Sequence, residues 1–174
     1  RHKILFFLAL SIFANSMPLD REFRATWVIT WEYISPSQNV EQTMARIDEI
    51  MDNHADANMN AVLFQVRQSG TAYYSSSYEP WGYYTGYESP GVDPLQYAID
   101  AAHSRGLELH AWFNVFQASS IHEGAPAQAH PEWVCRDRDG DPMTSSRSLS
   151  PGLEDVRQYT VDVAMEIVNN YDID

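Results

Sequence analysis

Two short segments carry the side chains best suited to chemistry. In "LELHAWFN" (107–114), Leu107, Leu109, Ala111 and Phe113 alternate with Glu108, His110, Trp112 and Asn114. In "NAVLFQVR" (60–67), Val62, Phe64 and Val66 alternate with Leu63, Gln65 and Arg67. A strand shows its side chains on two faces with a period of two, so each segment reads as a strand with one apolar and one functional face. Gln65, Arg67, Trp112 and Asn114 come late in their strands and His110 lies between the ends. Together they offer amide and guanidinium hydrogen bonds, an indole for stacking and an imidazole for donor or acid–base work. Arg67 can hold a carboxylate with both arms of its fork or make a structural ion pair, and His110 can exchange protons or sit satisfied in a core. Both readings stay open for each.

The loop "QSGTAYYSSSYEPWGYYTGYESPGV" (68–92) adds Tyr73, Tyr74, Tyr78, Trp81, Tyr83, Tyr84 and Tyr87. Rings with polar handles suit ligands that have both apolar faces and hydroxyls, sugars above all. Tyr74 and Trp81 are the positions expected to touch ligand, and about half of the rings are expected only to pack the loop. Hydrolysis of a glycosidic bond generally needs two carboxylates about 5–10 Å apart. The late strand positions supply none. Glu79 in the aromatic loop is the nearest candidate. Glu108 comes early in the third strand, as does Arg24 in the first, and a buried Arg24–Glu108 ion pair is the favoured reading of both. The catalytic acids are therefore expected downstream of Asp174.

Other chemistries find little support. "DRDGD" (137–141) lacks the spacing and closing Glu of a calcium loop and reads as a solvated turn. His122 and His130 are too scattered for a zinc signature. No phosphate-cradling glycine loop, serine elbow or CxxC occurs. No metal and no cofactor is expected.

The elements that must position these residues alternate. "FRATWVITW" (23–31) is β-branched and aromatic and reads as a first strand, with Arg24, Thr26 and Thr30 on its polar face. Asn39 caps a helix with Gln42 as its capping-box partner, and Val40, Met44, Ile47 and Met51 share a helical face. Asp93-Pro94 opens a second helix, with Gln96 completing the box and Gly106 closing it. Ser150-Pro151 opens a third, with Leu153, Val156, Thr160, Val163 and Ile167 inward, and "YDID" enters a fourth strand. Strand–helix alternation means parallel strands with crossover helices. The long connections, 68–92 and 115–149, both follow strands, where α/β folds place their sites. Strands with one polar face fit a barrel lumen better than an open sheet covered on both sides. The fold class is α/β: the N-terminal part, about three β/α units and the start of strand four, of a TIM (β/α)8 barrel.

Composition sets the class. The chain has 174 residues, 44% hydrophobic, with a formal net charge of −13 and a single lysine, Lys3. That acidity argues against nucleic acid and anionic lipid as partners. A basic head, Arg1 to Lys3, precedes the apolar run Ile4 to Ala14, and Ala14 and Ser16 supply small residues for cleavage. This reads as a secretory signal peptide over 1–16, with a partial, C-terminally truncated barrel domain over 17–174 and no membrane insertion after cleavage. The one cysteine, Cys135, leaves stability to core packing.

"EFRATWV", "NAVLFQVR", "YYSSSYEPWGYYTG", "DPLQYAIDAAHSRGLELHAWFN", "LSPG" and "YDID" resemble, in order, the glycosyl-hydrolase-like 10 family of secreted or envelope bacterial proteins. The resemblance covers roughly 21–174. It implies a TIM-type barrel and glycoside hydrolase activity on a polysaccharide or oligosaccharide, with bacterial wall glycan one fitting substrate and the secreted or periplasmic envelope the location. It also implies catalytic acids on a strand that begins at Asp174. "NVFQASS" departs from the arginine-bearing version of the family. A non-catalytic glycan-binding envelope protein with the same aromatic mouth is the rival reading.

Overall fold

The computed structural model describes residues 22–145 and 147–174. The signal peptide expected over 1–16 and the first residues of the domain lie outside them. The elements are β1 (Ala25–Val28), α1 (Thr30–Tyr33), α2 (Val40–Asp56), β2 (Ala61–Gln68), β3 (Thr71–Ala72), α3 (Pro94–His103), β4 (Glu108–Phe113), α4 (Pro126–Ala129) and α5 (Glu154–Asn170). β2 lies between β1 and β4, parallel to both, and β3 is a short antiparallel return on the end of β2. Ala25, Ala61 and Glu108 stand level, as do Trp27, Leu63 and His110. After α5 the chain returns beside β4: the Asp174 amide donates to the Leu109 carbonyl at 3.1 Å. The Asp174 carboxylate accepts from the Leu109 amide at 2.8 Å and pairs with His103 Nε2 at 2.9 Å. Burial pushes that carboxyl up, but the bonds from His103 and Leu109 outweigh it and hold the group below its ordinary range.

The helices form where their ends are satisfied. Asn39 and Gln42 exchange side-chain and backbone bonds at 2.8 and 3.0 Å, a complete capping box. Asp93 Oδ1 accepts from Leu95 and Gln96 amides at 3.0 and 3.1 Å, with Pro94 in the first turn. Gln96 turns instead to Asp100, so this second box is one-sided. α5 starts at Glu154, three residues beyond Pro151. Val156, Thr160, Val163 and Ile167 face inward as the spacing predicts, whereas Leu153 precedes the helix and is exposed.

One face of the sheet, with Val28, Val62, Phe64, Val66 and Leu109, packs on Ile47, Met51, Leu95 and Ile99 of the helices. Apolar burial of this kind drives folding. The other face is the lumen side, with Ala25, Trp27, Leu63, Gln65, Glu108, His110 and Trp112. The expected polar face of strand one is therefore reversed. Thr26 lies on the helix side, its hydroxyl 2.6 Å from His54 Nε2 on α2. Arg24 is one residue below Ala25, which is level with Glu108, so the two charged side chains start on opposite faces. The Arg24–Glu108 ion pair does not form. Arg24 donates to the Asn58 carbonyl at 2.8 Å and pairs with Glu22 at 3.5 Å, and Glu108 lies 3.2 Å from His110.

A second departure comes at the end of β2. Gln65 pairs with Trp112 but Arg67 pairs with Phe113, so the register shifts and Val66 is the extra residue. The shift moves Arg67 off the Gln65 face, and its guanidinium sits 4.8 Å over the Phe113 ring. There Arg67 Nε and Nη2 donate to Glu79 Oε2 and Oε1 at 2.8 and 2.6 Å, with both side chains fully buried. Arg67 Nη1 donates to the carbonyls of Asn114 and Val115. Tyr159 on α5 donates to Glu79 Oε1 at 2.9 Å. Burial first, then the Glu79 charge, push the Tyr159 phenol far above its ordinary range.

The connection 115–149 packs a second small core against α5: Ala118, Ala127, Val134 and Leu149 meet Val156 of the helix, with Phe116, Trp133 and the helix's Tyr159 packed against them. Within it "DRDGD" is a turn: Asp137 Oδ1 accepts from the Asp139 and Asp141 amides at 2.9 and 3.0 Å. Among the described residues no helix is long and apolar enough to cross a membrane.

Two stability measurements check this account. Asn39→Ala should cost about 1 kcal/mol, read as a lower urea midpoint at unchanged slope. Glu79→Ala should cost about 3–5 kcal/mol, because it leaves Arg67 buried and unpaired. The double variant Arg67→Met/Glu79→Leu should be distinctly more stable than Glu79→Ala alone.

Candidate functional site

The long connections rise from the C-terminal ends of β2 and β4, and between them lies a pocket of about 170 Å³. Gln68, Ser69, Thr71, Tyr73, Tyr83 and Tyr87 line it from the first connection, Ser119 and Ser120 from the second. The walls are tied together. The Ser120 amide donates to the Ser69 carbonyl at 3.0 Å, and the Tyr87 and His122 rings stack at 4.0 Å, nearly parallel. Gly70, at φ +74°, lets the turn pass so close that an added Cβ would meet Pro126 Cγ at 2.9 Å. Ser69 and Tyr87 also hold positive φ, at 60° and 63°. Residues other than glycine rarely take that conformation, and where they do it often marks a functional position.

The lining is uncharged and mixes hydroxyls and an amide with aromatic ring surface. Burial pushes the Tyr73 phenol up to about 12, so at neutral pH it keeps its proton and can donate. Thr71 Oγ1 donates to the Gln68 carbonyl at 2.7 Å. Tyr83 is 61% exposed and its ring meets those of Tyr84 and Tyr87 edge-on. Such a pocket can hydrogen-bond hydroxyls and stack on a ring face. Among the described residues no carboxylate lines it, so it does not by itself hold the paired acids of glycoside hydrolysis. Among the described residues no three His, Cys, Asp or Glu side chains gather as a metal site.

The residues predicted from sequence divide into three groups. Gln65, His110, Trp112 and Asn114 do gather along the lumen side of the sheet. Gln65 Oε1 accepts from the Thr30 amide and hydroxyl, both at 3.2 Å, and its Nε2 lies 3.5 Å from Asn114 Oδ1. Asn114 Nδ2 donates to Gln117 at 2.7 Å. Below them the Trp112 and Trp27 rings meet edge-on at 4.9 Å, and His110 meets Phe23 at 5.2 Å. Arg67 and Glu79 are the second group, locked in the wall and turned from the lumen by the register shift. Tyr74 and Trp81 are the third. Tyr74 is wholly buried, edge-on to Tyr171 at 5.6 Å, and is core rather than ligand contact. Trp81 is half-buried beside Ala72 and is not among the residues lining the pocket.

The pocket's own residues are only partly legible in the sequence. Tyr73, Tyr83 and Tyr87 belong to the aromatic set, but nothing in their spacing separates them from Tyr74, Tyr78 and Tyr84. Ser119 and Ser120 carry no signal at all, since they reach the site only through the fold of the second connection.

Comparison with known proteins supplies the lineage. The family model "Glycosyl hydrolase-like 10" matches residues 22–174. The chain is 33% identical to the glycosyl hydrolase YngK of Bacillus subtilis over 97% of its length and 34% of that protein's. It is 34% identical to the glycosyl hydrolase DigH of Escherichia coli over 92% of its length and 42% of that protein's. It thus spans about a third to two fifths of these curated relatives. Among solved structures it resembles a hypothetical protein from Ruminiclostridium thermocellum, with a TM-score of 0.61, 16% identity and coverage of 84% of this chain and 72% of that one. It also resembles the maltogenic alpha-amylase AmyB of Thermotoga neapolitana, with a TM-score of 0.59, 13% identity and coverage of 87% and 37%. These likenesses show the fold, the α/β wall of a TIM-type barrel. From its family match and its relatives, the chain belongs to the glycosyl hydrolase-like 10 family.

Proposed function

We propose that this chain is the N-terminal part of the barrel of a secreted glycoside hydrolase that acts on a polysaccharide. Bacterial wall glycan is the substrate class that best fits an envelope location. One observation carries the reading: in a glycosyl-hydrolase-like chain, the C-terminal ends of two barrel strands frame a pocket of tyrosines, hydroxyls and an amide. Barrel enzymes place their chemistry at that end. The lumen side leads up to the same mouth through Trp112, Gln65 and Asn114, a path of stacking and hydrogen-bonding groups. The paired acids come from strands following Asp174. Export is supported by the basic head and apolar run of residues 1–14.

A second reading follows from the uncharged lining. A protein that binds glycan without cleaving it needs the pocket and no acids. Release of reducing ends from polysaccharide by the full-length gene product separates the two: saturable binding with no release on any glycan tested would favour the binder. Tyr83→Ala, at an exposed position, should weaken oligosaccharide affinity by about 3- to 10-fold, the worth of one aromatic contact, and leave the unfolding midpoint unchanged. Unchanged affinity would remove Tyr83 from the site.

A further inference from the structure

We infer that the pocket between the two long connections is a subsite for one uncharged sugar unit and turns away units bearing carboxylate, sulfate or phosphate. The inference rests on the glycan reading and narrows it. Size gives the single unit. At about 170 Å³ the space is well below the roughly 300–1,000 Å³ of sites for drug-sized ligands, so it admits one ring and not a run of them.

Charge gives the preference. A site for an anionic sugar is built from guanidinium, ammonium or converging backbone amides. Here the lining includes Gln68 and Ser119, with Thr71 and Tyr73 almost wholly buried behind them, and none of these side chains is ionised at neutral pH. Arg67, the cation on the strand that feeds the pocket, is neutralised by the two-armed bond to Glu79 and buried behind the wall. Arg147 reaches the Ser119 carbonyl at 3.2 Å from outside the lining. Two exposed carboxylates, Glu88 and Glu123, directly follow the stacked Tyr87 and His122 in the chain. The chain as a whole carries a formal charge of −13. An anionic unit would shed water without gaining a counter-charge, and would do so in a repulsive field. A neutral unit meets hydroxyls and an amide that both donate and accept, which is what its own hydroxyls require.

The test uses the full-length gene product and calorimetric titration. Neutral oligosaccharides of several linkages are each matched with a counterpart oxidised to the carboxylate at C6. The neutral member should bind roughly tenfold tighter, and its affinity should change by less than about twofold between about 0.05 and 0.5 M NaCl. Equal or tighter binding of the acidic member would overturn the inference and leave the glycan reading intact. Ser119→Arg gives the pocket the cation it lacks and should narrow the gap about tenfold. An unchanged gap would show that the discriminating subsite is elsewhere. If no member of any pair binds, the glycan reading itself fails and the inference falls with it.

Discussion

The bidentate bond between Arg67 and Glu79 holds this part of the barrel together. It joins the last turn of β2, the aromatic connection that follows it, the carbonyls just past β4 and, through Tyr159, the outer helix α5. Few other points in the described chain link so many elements through one pair of side chains. Two ions out of water are costly unless each lone pair and proton finds a partner. Here the carboxylate accepts from guanidinium and phenol, and the guanidinium spends its remaining face on backbone carbonyls and an aromatic ring. The arrangement is directional in a way that apolar packing is not. It specifies where the loop leaves the strand, and the pocket on the other side of that loop inherits its shape.

The register shift at Gln65/Arg67 makes this possible. Without it, period two would keep Arg67 on the face of Leu63 and Gln65, pointing into the lumen. The extra residue, Val66, sends the cation into the wall and leaves Gln65 on the lumen side with Gln68 beyond it, both accepting from the Thr30 hydroxyl. The mouth is thereby stripped of its one strand-borne positive charge. What looks like a single substitution of direction sets the electrostatic character of the site.

Much of the architecture is legible in the amino-acid sequence. Helix starts were visible because Asn39, Gln42, Asp93 and Pro94 announce themselves through local chemistry. The inward faces of β2, β4 and α5 were visible because periodicity reports burial. What failed was whatever depends on a one-residue phase. The face of strand one is not legible, since "FRATWV" alternates too weakly for its phase to be fixed by hydropathy and only pairing with Ala61 and Val62 decides it. The Arg67 direction failed for the same reason. Tyr73 and Tyr74 are neighbours of one residue type and both lie in the core, yet Tyr73 also reaches the pocket and Tyr74 does not. Composition found the right loop, and no local rule could say which of its rings face the ligand.

The mouth itself is held by bonds between segments far apart in sequence. Ser69 and Tyr87 sit in left-handed backbone, a conformation their side chains disfavour, and each is engaged from the opposite connection: Ser69 through its carbonyl by Ser120, Tyr87 through its ring by His122. Strain of this sort persists only where the surroundings over-determine it. The second connection supplies that constraint by packing Ala118, Val134 and Leu149 on Val156 of α5, so its shape is set jointly with the outer helix of the wall. The division of labour follows: the strands and the Arg67–Glu79 bond define the floor, and two connections, the second anchored on α5, form the walls. A pocket made in this way can change its lining through the loops while the wall stays as it is, so its specificity belongs to the connections and its position to the strands.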